Sequence, residues 1–146
     1  MEKTLEKLVL TRSFAVAPDK VWRAWIDAAA MRVWFGQAEA PTWQADWDVR
    51  AGGNYRLVMR DSGGRDYTVQ GVYREVVPNR KLAFTWTWPR TTPERESLVT
   101  ILFRPDGGGT ELDFVHAQHF DEAVRDGHLR GWSEAFVKLE RFLQGA

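Results

Sequence analysis

Residues 81–88 read KLAFTWTW: Leu82, Phe84, Trp86 and Trp88 alternate with Ala83, Thr85 and Thr87, an apolar face against one of small and hydroxyl side chains. A period of two belongs to a strand with one face on a core and the other toward water. The same period extends to both sides. Downstream, Glu96 to Arg104 sets Val99, Ile101 and Phe103 on one face, and Pro105-Asp106-Gly107-Gly108-Gly109 turns the chain into Thr110 to Gln118. There Leu112, Phe114, His116 and Gln118 oppose Glu111, Asp113 and Val115. Upstream, beyond a turn at Val77-Pro78-Asn79-Arg80, Asp66 to Val77 places Val69, Gly71, Tyr73 and Glu75 opposite Thr68, Gln70, Val72 and Arg74. Before it, Tyr55, Leu57 and Met59 alternate with Arg56, Val58 and Arg60 and enter a hairpin at Asp61-Ser62-Gly63-Gly64, residues that tolerate positive φ. These segments predict an antiparallel meander of about five strands.

The ends of the chain have other periods. Leu8 to Val16 alternates and predicts a first strand, ended by Pro18-Asp19. Val21 to Phe35 carries Val21, Trp22, Trp25, Ile26, Ala29 and Val33 at spacings of three and four, which predicts two short helices stopped at Gly36. Gln37 to Gly53 reads as the longest loop. After His119, with Asp121 as N-cap, His128, Trp132, Ala135, Phe136, Leu139, Phe142 and Leu143 fall on one stripe of a long helix, and Glu134 with Lys138 marks its solvated face. The polar face of the sheet (Arg56, Arg60, Arg74, Thr85, Thr87, Glu111, Asp113) should meet water, while its apolar face needs a cover that only the last helix can supply. The expected fold class is α+β: a curved antiparallel sheet wrapped around a C-terminal helix, with two short helices after the first strand.

The chain has 146 residues and a mass of 16.8 kDa, and is 44% apolar and 27% charged, which suits one globular domain over 1–146. Twenty basic residues balance twenty acidic ones, so no basic footprint for nucleic acid or an anionic membrane exists. With no cysteine, thiolate catalysis, disulfides and Cys metal sites are excluded. No apolar leader or spanning stretch is read, and the expected location is the cytoplasm. Gly107-Gly108-Gly109 lies between strands without a following Gly-Lys-Ser/Thr, so it reads as a turn and not a phosphate cradle; Gly-x-Ser-x-Gly and His-Glu-x-x-His are also absent. No cofactor is expected. Eight Trp, eight Phe and three Tyr are the compositional departure, fitting either a heavily packed core or an apolar pocket.

Several motifs, in order, carry a resemblance: Thr11-Arg12-Ser13-Phe14 with Ala17-Pro18, Val21-Trp22-Arg23-Ala24-Trp25, Trp34-Phe35-Gly36 and Gly52-Gly53-Asn54-Tyr55-Arg56. They continue with Gly71-Val72-Tyr73-Arg74-Glu75-Val76 with Pro78 and Arg80-Lys81-Leu82, then Phe84-Thr85-Trp86 and Gly131-Trp132. The set resembles the START-like (SRPBCC, birch-pollen-allergen-like) superfamily with its helix-grip fold, and within it the family named for the activator of the ninety-kilodalton heat-shock chaperone's ATPase. The chain departs from that pattern at Ala29 and Gln37, where many members carry proline. The resemblance implies a largely apolar cavity between sheet and helix, and hence a small apolar or aromatic ligand. As a single copy of the domain, the chain is not expected to activate the chaperone directly; a homodimer is compatible with the pattern.

Candidate residues follow from this. Trp34, Phe35, Tyr55, Met59, Phe84, Trp86, Trp132 and Phe136 line a cavity or fill a core, and Met59 would help a pocket adapt. Arg12 shares a face with Leu10 and Phe14, and Glu75 with Tyr73; an inward charge needs a partner, so Arg12 either pairs with Glu75 or holds a ligand carboxylate. Tyr73 and His116 are the other orienting groups. His116 is a satisfied interior histidine, an anchor for a polar ligand, or the acid/base of a cyclase, dehydratase or hydrolase-like activity. His116, His119 and Asp121 as metal ligands are disfavoured, because a spacing of three on a strand points the two imidazoles to opposite faces. A third function, as a stress-related chaperone accessory, would need an exposed apolar patch.

Overall fold

In the computed structural model, which describes residues 6–37, 40–119 and 122–145, the chain runs β1 (Glu6–Phe14), α1 (Pro18–Ile26), α2 (Ala28–Trp34), β2 (Gly36–Gln37), β3 (Ala40–Trp47), β4 (Asn54–Arg60), β5 (Asp66–Val77), β6 (Lys81–Trp88), β7 (Thr92–Asp106), β8 (Gly109–His119) and α3 (Glu122–Gln144). The strands form one antiparallel sheet in the order β1-β8-β7-β6-β5-β4-β3-β2. The helix α3 packs against β1 and against β2, the two edges of that order, so the sheet closes around it. This is the expected α+β helix grip.

The inward residues of β6 to β8 set the core. The register puts Leu82 opposite Ile101, Phe84 opposite Val99, Val99 opposite His116, and Ile101 opposite Phe114. All of these are buried, and α3 covers them with Trp132, Ala135, Phe136, Leu139 and Leu143. Each large apolar side chain so enclosed contributes about 1.5–3 kcal/mol relative to exposure. In α1, which starts on Pro18 at the position that needs no N–H, Val21, Trp22, Ala24 and Trp25 are buried. Trp25 packs edge-on against Trp34 of α2 at 4.6 Å between ring centroids. Asp27 caps α2 by accepting a hydrogen bond from the Ala29 N–H at 3.0 Å, a donor that a proline at position 29 could not supply.

Four expectations are corrected. Residues 37–53 are not mainly loop: β3 pairs with β4, with Ala45 opposite Leu57 and Trp47 opposite Tyr55. Pro41 and a register shift between Thr42 and Gln44 blur its period, as suits a strand near a sheet edge. Glu75 does not share a face with Tyr73. The β5–β6 register shifts between them, and this bulge turns Glu75 outward, where it meets Lys81 at 3.1 Å. Arg12 is therefore not its partner. It lies on β1, with three strands between it and β5, half-buried, donating to the Thr11 carbonyl at 3.0 Å with its guanidinium 5.8 Å from the Phe136 ring centroid. Finally, Thr85 on the solvent face of β6 is buried, because its hydroxyl fills a gap in the sheet.

Candidate functional site

The interior holds a small void of about 10 Å³ between the sheet and the two short helices, lined by Trp25, Met31, Phe35, Trp47, Tyr55, Leu57, Tyr73, Phe84 and Trp86. That volume suffices for about one water molecule. No lining residue carries a charge. Of the residues anticipated from sequence, Phe35, Tyr55, Tyr73, Phe84 and Trp86 lie on this wall; Trp34, Met59, Trp132, Phe136, His116 and Arg12 do not. Trp25, Met31, Trp47 and Leu57 were missed. Trp25 shows the helical spacing of a core residue, and Trp47 lies in a stretch whose sequence reads as loop, so neither period nor composition singles them out. Leu57 is the inward residue between Tyr55 and Met59, legible as core but not as wall.

The tryptophans divide sharply by hydrogen bonding. Trp34 Nε1 donates to the Ala24 carbonyl and Trp47 Nε1 to the Ile26 carbonyl, each at 2.9 Å; Trp88 Nε1 and Trp132 Nε1 donate at 3.0 Å to His128 Nε2 and His116 Nδ1. Trp25 Nε1 and Trp86 Nε1 are buried with no hydrogen-bond partner among the described residues. Both side chains line the void. A buried unmatched N–H costs about 1–3 kcal/mol, so an acceptor brought to either indole would be stabilising.

The two phenols on this wall are neutral. Burial raises the Tyr55 phenol well above its ordinary value, with smaller contributions from Tyr73 and Glu96, and burial likewise raises Tyr73. Tyr55 Oη donates to the Thr85 backbone carbonyl. Tyr55, Tyr73 and Phe84 form a triangle of rings with centroids 5.4–5.7 Å apart.

His116 is wholly buried and is not among the residues that line the void. Because Trp132 donates to Nδ1, that nitrogen holds a lone pair, and the ring proton sits on Nε2, 2.7 Å from Ser97 Oγ. Ser97 Oγ in turn donates to the Trp86 carbonyl at 3.3 Å. His128 stacks on His116 at 4.6 Å and 16°. Nδ1 of His116 thus ties β8 to α3, and Nε2 ties it to the neighbouring β7. The side chain of His119 and all of Asp121 lie outside the described residues; among the described residues no cluster of three or more His, Asp or Glu is arranged to hold a metal.

Two larger depressions are open to solvent. One, of about 490 Å³, lies where Phe14 to Ala17 meets Glu140 and Leu143 of α3. The other, of about 660 Å³, lies on the outer face of β3 to β7 and has Trp47 and Tyr55 in its wall, as the interior void does. Among the described residues no helix is long and apolar enough to cross a membrane.

Among solved structures, the AHSA1 protein of Silicibacter pomeroyi is 30% identical, with 95% of this chain and 98% of that one covered and a TM-score of 0.86. A protein from Nitrosomonas europaea is 25% identical over 95% of this chain and 94% of its own, at a TM-score of 0.81. One from Chromobacterium violaceum, 22% identical with 94% and 96% covered, shares the fold at 0.84. No curated protein matches. Residues 15–144 match the family described as Activator of Hsp90 ATPase homolog 1-like protein, and the chain belongs to that family.

Proposed function

We propose that this protein binds a small, uncharged aromatic molecule bearing one hydrogen-bond acceptor, within the void between β3–β6 and the two short helices. The observation that carries this reading is the pair of unmatched indole N–H groups, Trp25 and Trp86, on a wall of aromatic and aliphatic side chains without a charge. Ligand pockets are built this way, mostly apolar with a few polar groups that fix orientation. The fold is commonly a ligand-binding one, which agrees. An ionised ligand would lie there uncompensated at a cost of several kcal/mol, so a carbonyl, ether or ring nitrogen suits the site and a carboxylate does not.

At about 10 Å³ the void is closed down, whereas a dry site that accepts a benzene-sized molecule needs about 150 Å³. Binding therefore requires the wall to move. Trp25 of α1, Met31 of α2 and Phe35 at the end of α2 are the part of the wall outside the extensively paired strands, and of these the unbranched thioether of Met31 repacks with little strain. His116 takes no part, since both of its nitrogens are engaged elsewhere.

Native mass spectrometry of the purified protein, followed by denaturing extraction, tests the reading. A mass excess released as a neutral aromatic compound supports it. An empty protein whose Tm does not change with a panel of neutral ring compounds overturns it.

A further inference from the structure

Between β5 and β6 the sheet has a gap that ordinary pairing would have closed. The register on either side, Gln70 opposite Thr87 and Tyr73 opposite Phe84, sets Val72 across from Thr85. Yet the Val72 N–H donates at 2.8 Å to the Thr85 hydroxyl rather than to its carbonyl, and the carbonyl accepts from Tyr55 Oη instead. Tyr55 belongs to β4, so its ring must cross β5 to reach β6. It does so at Gly71, its register partner: a Cβ on Gly71 would lie 2.7 Å from Tyr55 Cε1 and would collide with the Thr85 carbonyl oxygen. A phenol and a threonine hydroxyl thus replace a backbone ladder at one point of the sheet.

This gap lies where the outer groove and the inner void meet. Both have Tyr55 and Trp47 in their walls; Gly71, Val72 and Thr85 line the groove, and Phe84 and Trp86 line the void. A ladder bond between backbones yields only when the strands part, whereas a side-chain bond yields to a rotation of one residue. We infer that Tyr55 is the latch of an entrance through the sheet, and that breaking its hydrogen bond to Thr85 connects the outer groove of β3–β7 to the interior void. The inference rests on the cavity reading for its biological meaning but not for its test. An entrant would first meet the polar rim formed by Asp46, Asn54, Arg56, Gln70 and Glu96, then pass between Tyr55 and Thr85.

Hydrogen exchange of the indole N–H groups, followed by NMR, measures the opening directly. Trp25 and Trp86 have no hydrogen bond to break, so their exchange reports solvent entry, whereas Trp132 is held by His116. In Tyr55→Phe, exchange at Trp25 and Trp86 is expected to rise about three- to tenfold, the factor carried by one neutral hydrogen bond, while Trp132 and the β7–β8 amides keep their rates. Tyr67→Phe, on the same sheet but with an exposed hydroxyl 3.3 Å from Asp61, should change neither. Unchanged exchange at Trp25 and Trp86, or an equal acceleration at all sites, would overturn the latch. Acetophenone separates the two readings. If it binds the wild type but the exchange pattern is unmoved, the latch fails and the cavity reading stands; if the selective acceleration is seen and acetophenone does not bind, the reverse holds.

Discussion

Substituting Trp132 by phenylalanine takes one donor from a buried chain of hydrogen bonds and leaves most of the aromatic packing in place. His116 is entirely enclosed, with Nδ1 accepting from Trp132 at 3.0 Å and Nε2 paired to Ser97 at 2.7 Å. The loss of the indole N–H leaves a solvent-inaccessible lone pair unmatched, costing about 1–3 kcal/mol. The smaller ring also gives up part of its contact with Phe114, 4.6 Å away, and Trp86, 5.1 Å away, for about 1 kcal/mol more. The expected destabilisation is about 2–4 kcal/mol by urea unfolding. His116→Leu alone orphans the Trp132 N–H and should cost a similar amount. The double variant removes both partners, and its cost should fall short of the sum by about 1–2 kcal/mol, because neither polar group is then left unmatched. Strict additivity, or a Trp132→Phe cost below about 0.5 kcal/mol, would refute the view of His116 as a structural acceptor and reopen an acid/base role.

Two other predictions concern the sheet gap and its neighbours. Both buried phenols have raised values in the folded protein against 10.0 unfolded, so their contribution is full below pH 10 and is lost as pH rises above it. The loss is up to about 2.7 kcal/mol per pH unit for two groups. Lys138, lowered by burial, works in the opposite direction and moderates the slope. Urea unfolding between pH 9 and 11.5 should show the decline, and Tyr55→Phe/Tyr73→Phe should flatten it; an equal slope in that variant would contradict the assignment. Gly71→Ala should destabilise by more than about 3 kcal/mol, since the new methyl meets backbone atoms that cannot turn aside; thermal unfolding followed by circular dichroism checks it, and a loss under 1 kcal/mol would mean that β5 and β6 separate freely there.

Much of this architecture was legible in the chain. The alternation of KLAFTWTW sets Leu82, Phe84 and Trp86 inward, and the helical stripe from Trp132 to Leu143 supplies the cover. Period alone does not report a one-residue bulge, so it puts Glu75 inward: beyond the bulge every side chain changes face, and nothing local marks it. For β3 the signal was weak because a strand near an edge with a proline and half-exposed side chains has little amphipathic contrast. The candidate site was legible as a population of aromatic residues and not as a set. Whether a given ring faces a void or another ring depends on packing across elements distant in sequence, as with Trp25 from α1 and Trp47 from β3. That His116 is engaged on both nitrogens likewise depends on Ser97 and Trp132, residues 19 and 16 positions away.

Binding of a neutral aromatic acceptor at the two unmatched indoles of the interior void is the step on which the proposed function stands. Its most direct test is a titration of the uniformly ¹⁵N-labelled protein with acetophenone, following the Trp25 and Trp86 Nε1–H resonances, with benzoate as the charged counterpart. Saturable downfield shifts of one or both of these indole protons are expected with acetophenone and none with benzoate. Indole resonances of Trp25 and Trp86 that stay fixed while acetophenone saturates other sites, or that respond equally to benzoate, would contradict it.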